Sequence, residues 1–127
     1  MKLTLQSILN YPQFYPLVSN AKLPIKTAYR LSRLNDAISK EITFYQTQLR
    51  EIVEEYCIKD EEGKYVPTED GQGFRITAGK EAECNTRMLE LHQLEVELPD
   101  ITFTIDEFDG VELRVQDLTG IMPFITE

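Results

Sequence analysis

Between residues 28 and 56 the chain places an apolar side chain at every third or fourth position without a break: Ala28, Leu31, Leu34, Ile38, Ile42, Tyr45, Leu49, Ile52 and Tyr56. Spacings of 3, 3, 4, 4, 3, 4, 3 and 4 put all nine on one stripe of an α-helix. No Gly or Pro interrupts it. Pro24 suits a first turn, where its missing N–H costs nothing, and Asp60-Glu61-Glu62-Gly63 supplies a stop. A helix over 25–58 would be about 50 Å long at 1.5 Å per residue, longer than the diameter expected of a compact domain of 127 residues. Everything else in the fold must be arranged around that rod.

The remaining segments are short. Lys2 to Leu5 alternates like a strand, and Gln6 to Ser19 reads as a helix broken at Pro12 and Pro16. Lys64 to Val66 and Phe74 to Thr77 read as a hairpin around the turn-forming run Glu69-Asp70-Gly71-Gln72-Gly73. Helical spacing returns from Ala78 to Leu94. ITFTI (Ile101 to Ile105) and VELRV (Val111 to Val115) alternate on either side of an acidic turn ending in Gly110, which predicts a second hairpin. The segment QDLTGIMPFITE has room for a turn or two of helix stopping before Pro123. The expected fold is therefore α+β and a single domain over 1–127: a long antiparallel helix hairpin, two short β-hairpins and a short C-terminal helical turn.

This arrangement leaves a packing problem. A 17-residue helix over 78–94 covers about half of a 34-residue partner. The rest of the stripe needs a lid, either from the N-terminal segment and terminal hairpin or from a second chain. A bare stripe that size would exceed the few hundred Å² of apolar patch usual on monomers, so a homo-oligomer is expected. The nine stripe residues are its candidate helix interface.

Charge is distributed unevenly. Residues 1–50 hold seven Lys and Arg against two acids, a net of +5, while residues 51–127 carry six against twenty, a net of −14. With a sequence pI near 4.6, general attraction to nucleic acid is not expected. Apolar runs of only a few residues predict no membrane span or signal peptide. Lys22, Lys26, Arg30 and Arg33 follow at i, i+4, i+8 and i+11, a basic ridge at the start of the long helix with Tyr29 beside it. Such a ridge suits an acidic partner surface or a phosphate-bearing ligand, with Tyr29 available to stack on a base; it equally suits a solvated face paired to the acidic half of the chain.

Catalytic patterns are missing. His92 is the only imidazole and Cys57 and Cys84 the only thiols, too few for a tetrahedral Cys/His zinc site, and both cysteines read as small buried hydrophobes. Asp106, Asp109, Gly110 and Glu112 do not fall at calcium-loop spacings. No phosphate-cradling glycine loop or nucleophile motif occurs. The expectation is a non-enzyme with no catalytic, cofactor or metal residues.

The opening MKLTLQSILNYP, the segment LPIKTAYRLSRL, the helix end LREIVEEYCIKDEEGKY and the late acidic helix MLELHQLEVEL resemble a group of short, functionally uncharacterised proteins of tailed bacteriophages and prophages of Firmicutes and gut bacteria. Those proteins share a long first helix, a K-D-E-x-G turn, a second helix ending in L-x-x-x-E-V and a hydrophobic C-terminus similar to LTGIMPFITE. Tyr56-Cys57-Ile58 departs from their more usual Tyr-Gly helix ending. The resemblance implies a phage-encoded protein acting through viral or host protein partners, in the host bacterial cytoplasm or incorporated in the virion. Virion assembly is the first role it suggests, and inhibition of a host immune component or capture of its nucleotide signal the alternative. It carries over no catalytic residues.

Overall fold

The structure is a computed structural model and describes residues 1–126. Helix makes up 56% and strand 13% of it, with one long helix and two small sheets, so the fold is α+β. Backbone contacts group the chain into two compact units, one built from residues 1–43 and 94–127 and the other from the continuous run 44–93.

The first unit opens with strand β1 (Lys2–Thr4), helix α1 (Leu5–Ile8) and helix α2 (Tyr11–Val18). Thr4 caps α1, its hydroxyl accepting the Ser7 N–H. The expected breaks at Pro12 and Pro16 are corrected in position. The helix stops before Pro12, which sits in the first turn of α2, and then runs through Pro16. Helix α3 spans Ile25–Tyr56, its first intrahelical bond running from the Ala28 N–H to the Pro24 carbonyl at 2.9 Å. Its stripe residues Leu31, Leu34 and Ile38 are buried in this unit, alongside Leu5, Ile8, Tyr11, Phe14 and Val18.

The later half of the chain completes that core. Strand β2 (Glu95–Glu97) pairs antiparallel with β1, Leu3 opposite Val96. Strand β3 (Phe103–Thr104) pairs in parallel with β4 (Ile125–Thr126). Pairing β3 with β4 overturns the second hairpin: Ile105–Phe108 is a 3-10 turn, and Val111–Val115 forms no strand. Alternation in ITFTI and VELRV marks extended, half-buried chain without naming its partner. The C-terminal helical turn is also corrected, because Pro123 lies inside a 3-10 turn (Met122–Phe124) following another at Val115–Gly120. Aromatic rings knit these pieces together, Phe14 edge-on to Phe108 with centroids 5.6 Å apart and Tyr11 edge-on to Phe124 at 6.4 Å. Gly120 is required by proximity, since a Cβ there would lie 2.5 Å from the Asn10 carbonyl oxygen.

In the second unit α3 ends at Tyr56, two residues short of its expected end, and helix α4 covers Glu81–Gln93 rather than 78–94. The two helices run in opposite directions. The Tyr45 hydroxyl meets His92 Nε2 at 3.1 Å, and Arg87 meets Glu55 at 2.5 Å while lying over the Tyr56 ring. His92 Nδ1 donates to the Met88 carbonyl at 2.7 Å, so in the neutral ring Nε2 accepts from Tyr45. Beyond Tyr56 three extended segments close on one another. The Ile58 N–H donates to Arg75, the Arg75 N–H to Val66 and the Val66 N–H to Ile58, at 2.9, 2.8 and 3.0 Å. Gly63, with φ of +82°, makes the left-handed turn that brings the second segment back.

Candidate interaction site

The basic ridge lies in the first unit, and the structure divides it. Arg30 is drawn inward. One guanidinium nitrogen donates to the Thr102 carbonyl at 2.7 Å, another pairs with Glu107, and the group lies 5.1 Å from the Phe103 ring centroid. Glu107 is held from three sides. Its Oε1 also accepts from the buried Thr27 hydroxyl at 2.9 Å, and its Oε2 from the Thr104 N–H at 2.8 Å. This carboxylate joins α3 to the chain around β3 inside the first unit, and with the Thr102 carbonyl it engages both terminal nitrogens of Arg30.

The other ridge residues remain outside. Lys22, Lys26 and Arg33 are exposed and make no ion pair among the described residues. Arg33 stacks over Tyr29, 5.9 Å from the ring centroid, and Tyr29 itself is 64% exposed. Ile25, one turn earlier, is 83% exposed. A shallow apolar depression lies between Ile25, Ala28 and Tyr29, walled by the stems of Lys26 and Arg30. Exposed Ile25 and Tyr29 thus stand on one stretch of α3 with the exposed cations Lys26 and Arg33.

The candidate helix interface is mostly core. Leu31, Leu34, Ile38, Ile52 and Tyr56 are buried, while Ala28, Ile42, Tyr45 and Leu49 are half-buried. At Leu31, Leu34 and Ile38 the lid comes from the chain's own first unit, one of the two alternatives posed by the stripe. Ile25, Thr27 and Glu107 were not singled out as site residues. Ile25 lies off the stripe, and Glu107 falls in an acidic turn. Thr104-x-x-Glu107 has the spacing of a helix-capping box, a signal that could have assigned Glu107 an inward role.

Folding also redistributes the charge. Seven Lys and Arg against eleven acids leave the first unit at −4, and six against eleven leave the second at −5. The basic start and an acidic later part of the chain belong to one unit, and Arg30 with Glu107 is one contact where they meet. Cys84 is buried and Cys57 half-buried, and desolvation pushes both thiols up, away from nucleophilic reactivity.

No protein-family profile, curated protein or solved structure matches the chain. Among the described residues, no helix is long and apolar enough to cross a membrane.

Proposed function

We propose that this chain is a non-catalytic interaction protein whose working face is the first two turns of α3, and that it binds an acidic protein surface through Ile25 and Tyr29 with Lys22, Lys26 and Arg33 around them. The exposure of Ile25 and Tyr29, 83% and 64%, on a helix anchored by Arg30 and Glu107 carries this reading. Two bulky apolar groups at i and i+4 form the usual anchor of a helical recognition face, and the cations steer an acidic partner toward it. Twofold self-pairing through this face would oppose Lys26 and Arg33 to their own copies, so any homo-oligomer uses another surface. Following its resemblance, we assign the chain to a phage or prophage and its partner to virion assembly. Capture of a nucleotide signal is the weaker alternative, because Arg30 is already paired with Glu107 and the Thr102 carbonyl.

A photo-crosslinking amino acid at position 25, in chains expressed during phage growth, tests the proposal. The expected product is an adduct with an acidic virion protein, lost when Lys26→Glu and Arg33→Glu are added and weakened by salt, which screens exposed charges beyond about 8 Å at physiological strength. An adduct with a host immune protein moves the role to anti-defence. Crosslinking no stronger at position 25 than at exposed Lys40 would remove this face from the function.

A further inference from the structure

The second unit holds both of the chain's thiols, and its register sets them opposite one another. Helices α3 and α4 run in opposite directions, with Tyr45 meeting His92 and, further along α3, Glu55 meeting Arg87. The Arg87 guanidinium also lies over the Tyr56 ring, 5.7 Å from its centroid. Cys57 follows Tyr56 directly, and Cys84 stands three residues before Arg87 on the same face of α4.

The chain that joins them tightens this alignment. Cys57 forms an antiparallel bridge with Ile76, and the Tyr56 carbonyl accepts from the Thr77 N–H at 2.8 Å and the Thr77 hydroxyl at 3.1 Å. Two further bonds fix the path from there into α4: the Lys80 N–H donates to the Thr77 carbonyl at 3.0 Å, and the Cys84 N–H to the Lys80 carbonyl at 2.9 Å. Cys84 is 5% exposed and Cys57 half-buried. The two thiols sit within electrostatic reach, since charge on Cys84 adds to the desolvation that raises Cys57.

We propose that Cys57 and Cys84 are a disulfide-forming pair, a modification site that ties the end of α3 to the first turn of α4 when the protein meets a low-molecular-weight disulfide such as glutathione disulfide. The more exposed Cys57 reacts first. Its thiolate attacks one sulfur of the oxidant and expels a glutathione thiolate, which takes up a proton. Cys84, deprotonated in turn, attacks the Cys57 sulfur of the mixed disulfide and expels the second glutathione. Two cysteine thiols are thereby oxidised, one glutathione disulfide is reduced to two thiols, and the two protons pass to them. Burial opposes the Cys84 thiolate, and Arg87 partly offsets that opposition. Because both thiols are pushed up, closure is slow at neutral pH and accelerates as pH rises. The same property makes each a poor leaving group, so the bond once made resists reduction by thiols. It strengthens a unit whose buried apolar set among the described residues is only Ile52, Tyr56, Cys84 and Leu91. Its test is independent of the face at Ile25 and Tyr29.

Mass spectrometry of the intact chain, incubated with glutathione disulfide in mildly alkaline buffer, tests the pair. The expected product is a monomer lighter by two hydrogens, with Cys57 and Cys84 recovered in one disulfide-linked peptide pair. Cys84→Ala should stop at a single glutathione on Cys57, and Cys57→Ala should react about tenfold more slowly, because its remaining thiol is buried. In urea, where the register is lost, conversion of the Cys57 adduct to the internal disulfide should slow by about tenfold or more. The oxidised chain should melt about 10 °C above the reduced one. Wild-type protein that stops at the Cys57 adduct, or that yields mainly disulfide-linked dimers, would overturn the assignment. So would closure as fast in urea as in buffer, or an oxidised chain that melts no higher than the reduced one.

Discussion

The two units are held together internally by different means. Among the described residues fifteen buried hydrophobics fill the first, including Phe14, Phe103, Phe108 and Phe124, whereas the second buries Ile52, Tyr56, Cys84 and Leu91. The second relies instead on directed polar contacts: the Tyr45–His92 bridge, the Arg87–Glu55 pair and the ring of three backbone bonds at Ile58, Val66 and Arg75. Apolar burial contributes about 25 cal/mol per Å² and is cumulative, while an exposed ion pair contributes at most about 1 kcal/mol. One continuous helix therefore runs through surroundings of very different strength, and stripe periodicity alone does not reveal which part is firmly held.

The largest expected difference is in core truncation. Phe14→Ala should lower the unfolding free energy by about 3–5 kcal/mol, because its ring fills space against Tyr11 and Phe108. Leu91→Ala, at 7% exposure in the thinner core, should cost about 2 kcal/mol, at the low end for such changes. Urea unfolding of both variants measures this, and equal losses would break the comparison. Native-state hydrogen exchange resolves it within one molecule. Amides of α4 should open at a free energy about 2 kcal/mol or more below those near Leu34 and Ile38 of α3. Uniform protection would mean that the units open together.

The sequence made the rod legible because nine apolar positions at helical spacing admit one periodicity, and the turn at Asp60 to Gly63 was legible because few residue types form it. Strand partners were not legible. Phe103 pairs with Ile125 across a gap that no local pattern encodes, and ITFTI would alternate identically beside either neighbour. The site was half readable: the spacing of Lys26, Arg30 and Arg33 placed them on one ridge, but Arg30 turns inward because Glu107 and Thr27 wait there, which is tertiary information. Tyr29 stands outside the core, with the Arg33 guanidinium over its ring.

The smallest expected effect is on pH dependence, where the units should behave alike. Asp117 in the first unit is held below the ordinary carboxylate range mainly by hydrogen bonds from the Arg114 side chain, and Asp70 in the second mainly by the Thr68 hydroxyl. A depressed carboxyl stabilises the fold above its unfolded pKa and loses that contribution as pH falls through its folded value. Melting temperature should therefore drop between about pH 4 and about pH 2, and Asp70→Asn and Asp117→Asn should each flatten the drop slightly. A flattening confined to Asp70→Asn would assign acid sensitivity to the second unit alone.

The first unit is discontinuous in sequence, and this sets an order of events on the ribosome. Residues 44–93 emerge as one run and can bring α4 back onto α3 with local contacts, the kind that form fastest. Leu5, Ile8, Tyr11 and Phe14 are synthesised first but wait longest for cover, because Phe108, Ile121 and Phe124 follow about a hundred residues later. At about 5–20 residues per second that interval lasts several seconds. During it the nascent chain presents an uncovered aromatic cluster, a target for any chaperone that binds exposed aromatic segments.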